Sequence, residues 1–137
     1  MNQHKYLRAY MAGIVVPTIV LVLGVTVFCI ARYAYDFSVP LERLMIFPMA
    51  VVPNLWGLWN MFFIASHSRT RLSIGFHGAL LPLLLGPLGM VLTSLLNFSI
   101  PGFARHAFPI LAPLSLIVYY LVWKYVVGSL NRVVDLA

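Results

Sequence analysis

Four long apolar stretches joined by short polar ones leave this chain few ways to fold. They run approximately from Ala9 to Ala31, Leu44 to Ala65, Ile74 to Leu96 and Ala107 to Val127. The first three contain no Asp, Glu, Lys or Arg, and the fourth meets Lys124 only near its end. Each is close to the roughly 20 residues that a helix needs to cross about 30 Å of hydrocarbon.

Composition closes the alternatives. Of 137 residues 62% are apolar and 9% charged, whereas a soluble domain carries about 25% charged residues to cover its water-facing surface. Disorder, collagen and a disulfide scaffold are also excluded, because Gly and Pro number nine each without a period and Cys29 is the only cysteine. The expected fold is an all-α integral membrane protein, a four-transmembrane-helix bundle forming one domain over residues 1–137. The first run follows Lys5 and Arg8 as a signal peptide would. Its length, about 23 residues, and the lack of a small-x-small cleavage pattern before Arg32 favour an uncut helix.

Basic residues set the expected orientation, since positive flanks stay on the cytoplasmic side. With four spans, one side holds Lys5, Arg8, Arg69, Arg71, Lys124 and Arg132, and the other holds Arg32, Arg43 and Arg105 beside Asp36 and Glu42. Both termini are therefore expected in the cytoplasm, in a bacterial plasma membrane. The net charge of +6 then reads as topology and attraction to anionic headgroups, and nucleic acid is not an expected partner.

The two halves resemble each other. Asp36-Phe37-Ser38-Val39-Pro40 returns 61 positions later as Asn97-Phe98-Ser99-Ile100-Pro101. The same offset relates Phe47-Pro48 to Phe108-Pro109, Arg8 to Arg69 and Arg71 to Arg132. This suggests two similar helical hairpins, residues 1–68 and 69–137, forming a parallel internal repeat with its pseudo-twofold axis along the membrane normal. Pro48 and Pro109 are expected in the first turn of their spans, where a missing N–H is harmless. Pro17, Pro53, Pro82, Pro87 and Pro113 fall inside spans and are expected to bend them.

Two clusters stand out within the spans. In the third, Gly75, Gly78, Pro82, Gly86, Gly89 and Thr93 form a row of small residues, a helix-packing seam expected to meet the first span or a second protomer. In the second, Asn54, Trp56, Trp59 and Asn60 form a polar and aromatic cluster, either a ligand pocket or a helix-packing site. Spacings of three and four put Pro53, Trp56, Gly57, Asn60 and Phe63 on one face. As a packing site, Asn60 makes an interhelical hydrogen bond and Trp59 joins Trp123 and Tyr125 in an interfacial aromatic belt.

Chemistry is scarce. No ionisable side chain lies deep in a span, which disfavours proton-coupled pumps and cation exchangers. His67 and His77 fall near the same face, but no histidine pair or carboxylate set has metal-ligand spacing, so no metal or cofactor is expected. No serine sits in a nucleophile turn, and no catalytic site is assigned. His67, Arg69 and Arg71 are the candidate anionic-lipid contact. The expected role is a structural or accessory subunit of a membrane complex or homo-oligomer. The alternative is a small channel or transporter for a neutral or anionic solute, and an enzyme is not favoured.

Overall fold

The computed structural model describes residues 4–36, 51–95 and 102–136, with the side chains of Thr93 and of residues 102–108 left outside that description. Helix α1 spans Lys5–Tyr35, α2 Val52–Thr70, α3 Ile74–Ala79, α4 Leu81–Leu95 and α5 Gly102–Val122. A π-helical turn over Trp123–Val127 then leads into α6, Gly128–Val133. Among the described residues there is no strand. Among the described residues, three helical stretches are long and apolar enough to cross a membrane: Lys5–Tyr35, Ile74–Leu92 and Pro109–Val133. Helix α2 is not one of them, since its 19 residues include Asn54, Asn60, Ser66, His67, Ser68 and Arg69. Residues 44–50 of the second apolar run lie outside the described residues.

Several boundaries differ from the sequence reading. Helix α1 runs on past Ala31 because neither Pro nor Gly stops it, and it closes where Asp36, in the left-handed region at φ 50°, donates its N–H to the Ala31 carbonyl. Helix α2 closes the same way, with Arg71 at φ 52° donating to His67. Helix α3 opens on Ser73, whose hydroxyl accepts the Phe76 N–H at 3.3 Å. The third apolar run is not one helix but two, divided at Leu80. Pro82 explains the division. It has no N–H to give the Gly78 carbonyl, and its ring crowds that same carbonyl.

Two other prolines fall differently. Pro53 occupies the first turn of α2, where it removes no helical bond, and so does not bend a span interior. Pro109, expected in a first turn, stands inside α5 with Pro113. Pro48 is outside the described residues, as are both Phe-Ser-x-Pro elements that carry the repeat, residues 37–40 and 98–101.

The helices pair as antiparallel neighbours. Ala9 meets Asn60 while Gly13 meets Gly57, so α1 and α2 run in opposite directions. Ile74 meets Gly128 while Gly78 meets Trp123, so α3 runs opposite to the π turn and the start of the last helix. Helix α1 also touches the π turn and α6. Where these elements converge, Trp56, Leu81, Trp123 and Val127 make the apolar core. Most other large apolar side chains face outward, as they must in a solvent of lipid tails.

Candidate functional site

Three places in this fold bring distinctive residues together. The first is the interior beneath the core. Trp123 is 0% exposed, and its ring centroid lies 5.4 Å from that of Trp56, which in turn lies 5.1 Å from Tyr119. Trp123 therefore does not belong to a lipid-facing belt as the sequence suggested. Gly78 is the reason: a Cβ there would stand 2.0 Å from Trp123 Cγ, so only glycine admits the indole between the helices. Tyr125, by contrast, faces outward.

Asn60 and Asn131 are both 0% exposed and pair through their amides. Asn60 Nδ2 donates to Asn131 Oδ1 at 2.8 Å, and Asn131 Nδ2 returns a bond to Asn60 Oδ1 at 3.0 Å. Asn60 Nδ2 also donates to the Ala9 carbonyl at 2.8 Å. One amide thus ties α2 to both α1 and α6. Asn54 stands on a more exposed part of α2 and accepts from the Tyr10 hydroxyl. Trp59 donates its indole N–H to the His77 carbonyl at 2.9 Å. That carbonyl lies next to the break at Leu80, so a neighbouring helix supplies a partner where the helical ladder is disturbed.

His77 is 3% exposed and packs among the rings of Trp59, Phe62 and Phe63, with no partner for Nε2. Phe63 also contacts His67, with ring centroids 4.9 Å apart against 5.3 Å to His77. One phenyl ring thus lies against both imidazoles, and the pair does not form a facing ligand set. Among the described residues no three His, Cys, Asp or Glu side chains converge.

The second place is an apolar groove of about 620 Å³ between α4 and α5. Pro82, Gly86 and Pro87 form one wall, and Ala112, Pro113 and Ser115 form much of the other. The Ser115 hydroxyl is occupied, donating to the Ala112 carbonyl at 2.7 Å. The small-residue row of the third run is thereby divided. Gly75 and Gly78 are buried against the last helix rather than the first, while a Cβ at Gly86 would meet nothing within 4 Å. Gly89 is half-buried on α4, and the side chain of Thr93 is outside the described residues.

The third place is a cavity of about 280 Å³ at the end of the molecule where α2 closes, α3 begins and α6 finishes. His67, Lys124 and Arg132 line it together with Phe63, Ile74 and Gly128. Arg69 and Arg71 are exposed nearby in sequence but are not among its lining residues.

Compared with protein-family models, curated proteins and solved structures, the chain matches none of them. The sequence reading missed Asn131, which lies past the end of the fourth apolar run. Its signal was present: Trp123, Val127 and Asn131 follow at spacings of four, and all three are buried.

Proposed function

We propose that this chain is a non-catalytic subunit of a membrane assembly, and that another transmembrane helix packs into the groove between α4 and α5. The open face of Gly86 carries this reading. Gly13, Gly57, Gly75 and Gly78 are each filled by an internal helix contact, whereas Gly86 keeps its space beside proline and alanine walls. Lipid gives helices no hydrophobic drive to associate, so small residues that permit close backbone approach are what a helix interface requires. The only side-chain hydroxyl among the described residues lining the groove, Ser115, is already bonded, which supports a packing role over a path for polar solutes.

In this reading the chain has four spans made of two similar hairpins. Both termini face the cytoplasm of a bacterial plasma membrane. The contact of Arg8 Nη1 with the Val134 carbonyl at 3.1 Å supports two termini on one side. The charge distribution favours that side as the inner one.

The groove can be tested with little disturbance of the fold, because a Cβ at Gly86 meets none of the described atoms within 4 Å. Protein extracted gently from its own membranes should run above its 15.4 kDa monomer mass on native mass analysis. Gly86→Leu should run as the monomer with an unchanged melting temperature. An unchanged assembly in that variant would defeat the proposal, as would solute flux through liposomes containing this protein alone.

A further inference from the structure

We propose that the basic cavity at the helix ends is a phosphate-binding site, of the kind that holds the headgroup of an anionic phospholipid. The proposal is independent of the groove and rests on other residues.

Lys124 and Arg132 both line this cavity and come from the same continuous helical stretch, Pro109–Val133, which is apolar enough to span a membrane. A cation so placed must reach water, pair with an anion or meet a headgroup. Lys124 Nζ lies 5.5 Å from the Tyr120 ring centroid and 5.4 Å from that of Tyr125, so its ammonium is held by aromatic faces. Arg132 uses Nη2 on the Ser129 hydroxyl at 3.1 Å, which steadies the guanidinium and leaves its other N–H groups for a ligand. Among the described residues no carboxylate pairs with either cation.

The remaining lining fits the same ligand. His67 adds two ring nitrogens, and Phe63 and Ile74 form apolar walls. At about 280 Å³ the cavity falls below the range of sites that enclose a drug-sized molecule. It is suited to a headgroup whose tails remain in the bilayer, and a basic recess between helices at the membrane surface attracts such a group. The π turn shapes this recess. Gly128 donates its N–H to the Trp123 carbonyl across five residues, and Lys124 and Gly128 line the cavity while Trp123 and Val127 fill the core.

The test uses the full chain, delipidated in detergent and offered equal amounts of dioleoyl phosphatidylglycerol and dioleoyl phosphatidylcholine, with bound lipid read by native mass spectrometry. Wild type should prefer phosphatidylglycerol by at least 10-fold. Lys124→Gln with Arg132→Gln should weaken its binding about 30-fold, the effect of removing two interfacial charges. Arg69→Gln with Arg71→Gln removes the same charge from outside the cavity and should keep the preference. Gly128→Leu should also lose it with all charges intact, because its side chain would fill the cavity that Gly128 lines, while its Cβ would meet only ordinary contacts at 3.5 Å or more and leave the helix in place. Melting temperatures of the variants report whether each is folded. If inorganic phosphate alone binds wild type and the Lys124–Arg132 variant loses it, the site holds and its source includes free phosphate. Equal losses in the two double variants would show diffuse surface attraction and overturn the proposal. So would a wild type that does not distinguish the two lipids.

Discussion

Gly78→Ala should separate α3 from the last helix and lower stability by about 3 kcal/mol, the upper part of the range for an overpacked interior. A single methyl group is enough because of what it would meet. Its Cβ would lie 2.0 Å from Trp123 Cγ, 2.3 Å from Trp123 Cβ and 2.5 Å from Trp123 Cδ1. These are not the far end of a flexible side chain, so the backbone itself must move. Trp123 would then leave the ring stack with Trp56 and Tyr119. Near-ultraviolet circular dichroism should report that loss, because all three tryptophans of the chain, Trp56, Trp59 and Trp123, lie at or beside this seam. Gly75→Ala should cost less, since its nearest atoms are the edge of the Tyr120 ring and Lys124 Cβ at 3.0 to 3.1 Å. Gly24→Ala and Gly86→Ala should leave the melting temperature unchanged or slightly raised, because nothing lies within 4 Å of either Cβ and alanine favours helix by about 0.5–1 kcal/mol. A Gly78→Ala protein that melts with the Gly24 and Gly86 variants would refute the close packing.

The pattern of these glycines also explains what the sequence could disclose. Apolar length and charge scarcity suffice to announce a helical membrane chain, because hydrocarbon permits so few backbone arrangements. The buried face of α2 was equally legible: Trp56, Gly57, Asn60 and Phe63 sit at spacings of three and four, and all are buried. Which neighbour a small-residue row will meet is a different matter. Gly75, Gly78 and Gly86 read as one row along one helix, yet Pro82 interrupts the helix at Leu80 and the two parts face different surroundings. A proline's effect depends on whether its position begins a helix, as Pro53 does, or lies inside one, as Pro109 does. Neither that nor the depth of Trp123 follows from hydropathy, since both are decided by contacts between distant segments. The cationic cavity was half legible. His67 was singled out from the sequence, and the structure places it in the last turn of α2, but Lys124 and Arg132 come beside it only through the packing of distant helices.

Asn60→Leu and Asn131→Leu should each destabilise the protein by about 3 kcal/mol, and the double variant should lose less than the two losses added together. The pair is enclosed, with both residues 0% exposed, so neither amide can turn to water when its partner is lost. Removing Asn60 leaves Asn131 Nδ2 and Oδ1 unpaired, and each unsatisfied buried group costs about 1–3 kcal/mol. The Ala9 carbonyl also loses the bond that holds α1 against α2. Removing both amides together leaves a leucine pair in a dry interior and no stranded donor, so part of the summed penalty disappears. Interhelical side-chain hydrogen bonds in membranes contribute about 0.6–2 kcal/mol, and the coupling energy from the full mutant cycle should fall within that interval. Thermal unfolding of wild type, both singles and the double in the same detergent supplies the cycle. Strictly additive losses would mean that the two asparagines act separately. In that case the contact joining α2 to α6 would not be the bond that closes the helices at this end of the molecule.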